Sequence, residues 1–81
     1  MSSETILVVD DDDAFRNRLV RAFQDRGHPA AAAGSAEEAL QVAKQLAPKR
    51  AVIDLRLPNK SGLEIVADLV AAVPGIHCIM L

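Results

Sequence analysis

An 81-residue chain has room for one domain, spanning 1–81, and buries only about 60% of its unfolded surface, so each core element matters. Hydrophobic residues at 51% and charged residues at 25% exclude a disordered or fibrous chain. Nine basic against eleven acidic residues leave a net charge of −2, which argues against a membrane or direct nucleic-acid contact as this segment's main business.

Met1 to Glu4 read as a frayed start. Thr5-Ile6-Leu7-Val8-Val9 is an unbroken apolar run rich in β-branched residues, as expected of a parallel strand covered on both faces. It stops at four aspartates, Asp10 to Asp13. A helix follows, with Phe15, Leu19, Ala22 and Phe23 as its apolar stripe and Arg16, Arg18, Arg21 and Asp25 largely on the solvated side. Asp12 or Asp13 caps its start, and Gly27 suits its end.

Pro29-Ala30-Ala31-Ala32-Ala33 lies between Gly27 and Gly34, too short a span for a helix despite alanine's preference. It reads as a short strand at a sheet edge, where Pro29 is tolerated. Ser35-Ala36-Glu37-Glu38 is a capping box that opens a helix lined by Ala39, Leu40, Ala43 and Ala47 and ending before Pro48. Arg50 to Ile53 forms a third strand leading into Asp54. Pro58-Asn59-Lys60 makes a loop. Ser61 to Glu64 is a second capping box, starting a helix with Leu63, Val66, Leu69, Val70 and Val73 inward, and Pro74-Gly75 ends it. His77 to Leu81 reads as a fourth strand.

The alternation β-α-β-α-β-α-β argues for an α/β fold, a doubly wound parallel sheet with helices on both faces. Ligands of such sheets bind beyond the carboxyl ends of the strands, where the strand order reverses. With the first and third strands adjacent, Asp10, Asp11 and Asp54 meet in one crevice. That adjacency is an analogy with the 2-1-3-4-5 order of known doubly wound sheets, not a derivation from the residues. Clustered carboxylates repel, and a hard divalent cation such as magnesium resolves the conflict. The cation can offset charge on a transferring phosphoryl group, and an aspartate there can attack phosphorus. The three aspartates are thus expected to form a metal-assisted phosphoryl site, any one of them being able to serve as nucleophile.

Val-Val-Asp-Asp-Asp at 8–12, Ile-Asp-Leu-Arg-Leu-Pro at 53–58 and Gly-Leu-Glu at 62–64 resemble the response-regulator receiver (CheY-like) family of two-component systems, in order and at matching spacing. The resemblance covers nearly the whole chain. Asp-Leu-Arg-Leu and Ser-Gly-Leu-Glu look most like the redox-responsive RegA/PrrA-type regulators of proteobacteria. It implies a flavodoxin-like sheet of order 2-1-3-4 and a phosphoryl group taken from a sensor histidine kinase onto Asp54. It further implies Mg2+ held directly by Asp11, through water by Asp10, by Asp54, and by the main-chain carbonyl of Arg56. A receiver is a signalling domain and not an enzyme, beyond self-phosphorylation and self-dephosphorylation, and its parent is expected to regulate transcription.

Two departures stand out. Ser61 replaces an aspartate common before the glycine, a change that keeps a helix cap. The chain also stops at Leu81, so it is expected to be truncated, lacking the family's fourth helix, fifth strand and fifth helix, with the threonine or serine and the lysine that contact the phosphoryl group.

Arg56 through its side chain, Asn59 and Lys60 read as exposed loop residues, and the arginines of the first helix as a solvated face. Cys78 in an apolar run reads as a small packed hydrophobe, and His28 and His77 lack partners at metal-ligand spacing. With no signal peptide and no apolar stretch near the ~20 residues that span a bilayer, a reducing cytoplasm is the expected location. Two other readings compete. A haloacid-dehalogenase-type phosphatase would use Asp10 of an Asp-x-Asp pattern as nucleophile. A fragment without phosphotransfer would serve assembly, as a homodimer through an open fourth-strand edge.

Overall fold

In the computed structural model, residues 3–54, 57 and 60–81 are described. The chain runs β1 (Ser3–Val9), α1 (Asp13–Asp25), β2 (Ala30–Ala33), α2 (Ala36–Leu46), β3 (Pro48–Ile53), α3 (Gly62–Ala72) and β4 (His77–Met80). The four strands pair in parallel in the order β2-β1-β3-β4. The expected α/β class, element order and strand order are all present, with β2 at an edge as Pro29 suggested.

Side-chain alternation along β1 divides the core into two layers. Leu7 and Val9, with Ala33, Ala51 and Ile53, face Ala39 and Ala43 of α2 and Ile65 and Leu69 of α3. Ile6, Val8 and Val52 face the other way, against Leu19, Val20 and Phe23 of α1. One helix therefore covers one face and two cover the opposite face. The continuous apolar run of β1 follows from burial on both sides.

Caps fix the helix starts that flank the site. The Asp12 side chain accepts from the Phe15 N–H at 3.1 Å, settling which aspartate caps α1. Gly27, at φ 84°, takes the left-handed turn after α1 that a side chain would resist. Ser35 and Ser61 each accept from the backbone N–H three residues on, at 3.2 Å in both cases. Glu38 reaches back to the N–H of Gly34 at 3.2 Å, one residue beyond the reciprocal partner of an ordinary capping box.

Several expectations need correction. Ser3 and Glu4 extend β1, because pairing with β3 begins at Ser3↔Pro48. Pro48 and Lys49 likewise lengthen β3 beyond its expected start. The apolar stripe of α1 is rotated: Phe15 is 41% exposed and Ala22 is exposed, while Val20 packs inward and Arg16 is half-buried. In α3, Leu63 is 76% exposed and Val70 is exposed, and Ile65 takes the core position with Leu69. The part of each expected stripe that reaches the sheet does pack inward, Leu19 and Phe23 in α1 and Val66 and Leu69 in α3 with Val73 at its end, while the residues beyond its reach face solvent.

Candidate functional site: an acidic crevice at the carboxyl ends of β1 and β3

The parallel register places the site. Val9 pairs with Ile53 and with Ala33, and the hydrogen-bond ladder runs one residue past the strands. Asp54 N–H donates to the Val9 carbonyl at 2.9 Å, and Asp10 N–H donates to the Ala33 carbonyl at 3.1 Å. Asp10 and Asp54 are thus next in line on neighbouring strands. Alternation sends both side chains toward the α1 face, since Asp10 follows Ile6 and Val8 while Asp54 follows Val52.

Asp11 joins them from the first residue of the turn. One carboxylate oxygen from each of Asp10, Asp11 and Asp54 lies within 4.8 Å of the others. Asp10 is buried, Asp54 half-buried and Asp11 exposed, so the cluster opens from core to solvent. These residues, with Asp12, Phe15 and Leu81, line an open crevice of about 630 Å3. The expected trio of described carboxylates has been brought together. The Arg56 carbonyl and Pro58 lie outside the described residues.

Burial raises the Asp10 carboxyl above its ordinary value, and the charges of Asp54, Asp11 and Asp12 raise it further. A hydrogen bond from the Asp12 N–H to Asp10 Oδ1, at 2.9 Å, opposes this by favouring the carboxylate. The chain therefore gathers negative charge at a position where it costs free energy. The donor set is hard oxygen, spaced closely enough to hold a metal ion, and it sits just before the N-terminus of α1, where negative charge is favoured.

Two other polar groups are engaged elsewhere. Lys60 pairs with Asp68 of α3, whose hydrogen bond and charge raise the Lys60 pKa. Cys78 is half-buried on β4, and burial pushes its thiol pKa up, as suits a packed and unreactive sulfur.

The sequence reading missed Arg16. Its Nη1 donates to the Asp10 main-chain carbonyl at 3.0 Å, and its Nη2 pairs with Asp13 at 2.7 Å. The signal was available in the spacing of Arg16, Leu19, Val20 and Phe23, an i, i+3, i+4, i+7 series that puts the arginine on the buried stripe.

Residues 6–81 match the family model described as the response regulator receiver domain. The chain belongs to that family. Within it, this receiver is 48% identical over 63 residues to the acid tolerance regulatory protein ActR of Rhizobium meliloti, covering 78% of this chain and 32% of ActR. It is 43% identical over 68 residues to the photosynthetic apparatus regulatory protein RegA of Rhodobacter capsulatus, covering 84% of this chain and 37% of RegA. The receiver thus spans about a third of the length of these regulators. Its fold matches the crystal structure of a Burkholderia pseudomallei response regulator carrying a phosphorylated aspartic acid, a calcium ion and citrate. That match has a TM-score of 0.89 and 31% identity over 96% of this chain and 46% of the other. The expected kinship with RegA-type regulators holds, and the fold is one of signalling. No helix among the described residues is long and apolar enough to cross a membrane.

Proposed function

We propose that this receiver takes a phosphoryl group from a sensor histidine kinase onto Asp54, with Mg2+ held by Asp10, Asp11, Asp54 and the main-chain carbonyl of Arg56. The observation that carries the reading is the meeting of three carboxylates from two adjacent strand ends within 4.8 Å. Oxygen ligands in a partly open site suit magnesium, which keeps several waters and binds phosphate oxygens. When bound, the ion offsets negative charge on the phosphoryl oxygens.

The protein's own residues then divide the work. An Asp54 carboxylate oxygen forms the new O–P bond as the N–P bond to the kinase histidine breaks. Water later attacks phosphorus, releasing inorganic phosphate and restoring the carboxylate. Asp10 and Asp11 hold the charge that recruits the cation, and the Asp10 hydrogen bond to the Asp12 N–H keeps its carboxyl aimed. We further propose that the parent protein is a cytoplasmic regulator of transcription, a reading supported by the similarity to the regulatory proteins ActR and RegA.

Intact-mass analysis with acetyl phosphate tests this reading. The expected result is one added phosphoryl group that requires magnesium, maps to Asp54 and is absent from Asp54→Asn. Labelling at Asp10 instead would overturn it in favour of a phosphatase-type nucleophile.

A second property concerns the 81-residue chain by itself. Among the described residues β4 is a sheet edge, with Ile79 53% and Leu81 52% exposed. We propose that two such chains pair through β4, since an open apolar edge offers unpaired backbone groups to a partner.

A further inference from the structure

We infer that Arg16 is a positioning residue that sets how Asp10 and Asp11 meet a divalent cation, and that Gly34 is the space that admits its guanidinium. The inference rests on the metal-site reading above and deepens it.

Asp10 is anchored by the strand ladder, but Asp11 is exposed and lies in the turn after it. What orients Asp11 is the peptide that joins the two. The Arg16 Nη1 bond to the Asp10 carbonyl fixes the plane of that peptide, because the group is rigid and trans. Fixing the plane fixes the Asp11 Cα, the point from which its carboxylate must reach a cation. The same guanidinium holds Asp13 through Nη2, tying down the far side of the turn.

Two features argue that more than stability keeps an arginine here. Its Nε is buried without a hydrogen-bond partner among the described residues, and such a group is unfavourable. Its partner Asp13 is 82% exposed, so that ion pair adds little to folding. The planar fork, which can engage two acceptors at fixed angles, is what a lysine would lack.

Gly34, the residue after β2, completes the device. A Cβ built there would stand 2.9 Å from Arg16 Nη1, too close for both to keep their places. The conflict involves only the tip of a flexible side chain, so an alanine displaces the guanidinium without breaking the backbone.

Removing the arginine also removes a positive charge near the acidic cluster, which by itself strengthens cation binding. The ratio of Mg2+ to Ca2+ affinity cancels that charge effect. It leaves geometry, because magnesium demands near-ideal octahedral ligands whereas calcium tolerates irregular ones. The test is to titrate the 81-residue chain with each ion alone, in the wild type, Arg16→Met, Arg16→Lys, Gly34→Ala and the Arg16→Met/Gly34→Ala double variant. Thermal unfolding without metal is followed in parallel.

In Arg16→Met and Gly34→Ala the Mg2+/Ca2+ affinity ratio is expected to fall about tenfold, the usual scale for groups that orient a metal ligand. Arg16→Lys should fall almost as far. The double variant should match Arg16→Met, since alanine at 34 then has nothing to displace. An unchanged ratio in a folded Gly34→Ala or Arg16→Met chain overturns the inference, as does simple additivity in the double variant. If Arg16→Met does not fold, Gly34→Ala decides alone. A wild-type chain that binds neither ion overturns the metal-site reading itself, a result distinct from a wild-type chain that binds while its variants do not change.

Discussion

Asp10 and Asp54 extend two neighbouring parallel strands by one residue each, and their carboxylates share the crevice at the sheet's carboxyl rim. Asp10 is 5% exposed, and its burial, followed by the nearby charge of Asp54, holds its pKa above the ordinary carboxylate value. The metal-free domain therefore carries a local instability at the position of the proposed metal site.

That instability has a defined pH dependence. The folded chain binds the Asp10 proton more tightly than the unfolded chain, whose carboxyl titrates near the ordinary value of 3.8. Stability from this group is therefore highest in acid and falls as pH rises from about that value through the raised folded pKa. Asp10→Asn keeps an oxygen for the Asp12 N–H and carries no charge. At neutral pH without metal it should be more stable than the wild type, on the order of 1 kcal/mol. The gap should close below the ordinary carboxylate range. Chemical denaturation across pH checks this, and a destabilised Asp10→Asn at neutral pH would refute it.

Adding Mg2+ should reverse the ranking. A ligand that binds only the folded state at one hundred times its Kd adds about 2.7 kcal/mol. The wild type should gain that increment as concentration rises, and Asp10→Asn and Asp54→Asn should gain much less. Melting temperature against magnesium concentration provides the readout. Equal shifts in all three proteins would remove Asp10 and Asp54 from the ligand set.

How far the fold was legible depended on which physical signal each segment carried. Strand β1 and the caps at Ser35 and Ser61 were plain, because an apolar run ending at acids and a serine three residues before glutamate are local patterns. The partnership of Asp10 with Asp54 needed strand order, which is long-range and entered as an analogy. Helix phase was misread where apolar residues are plentiful. In α3, Leu63 and Val70 extended an apparent stripe, yet packing selected Ile65, 2% exposed, with Leu69. Arg16 was misread because charge suggests solvent, whereas its stem packs and its head bonds a carbonyl.

The α3 phase supplies a stability contrast. Ile65→Ala removes a side chain from the closed core and should cost about 2–5 kcal/mol. Leu63→Ala, on a residue three-quarters exposed, should change stability by no more than about 0.5 kcal/mol. Urea denaturation of the two variants separates the phases. A larger loss at Leu63 would restore the phase expected from sequence.

The edge strand gives the last expectation. Across the sheet β4 pairs with β3 on one side through Arg50↔His77 to Ile53↔Met80, and among the described residues its other side is the boundary of the sheet. Ile79 and Leu81 are apolar and half or more exposed on that strand and just after it. Association should bury these side chains as well as satisfy the strand's outer backbone groups, so the 81-residue chain should sediment as a dimer or larger species at micromolar concentration. Ile79→Lys puts a charge where strand edges resist pairing, and it should shift the equilibrium toward monomer without harming the fold. The acidic crevice should be unaffected in that variant, because Ile79 is not among its lining residues. Equilibrium sedimentation of both proteins measures the effect, and a wild-type chain that remains a monodisperse monomer at every concentration would dismiss pairing through β4.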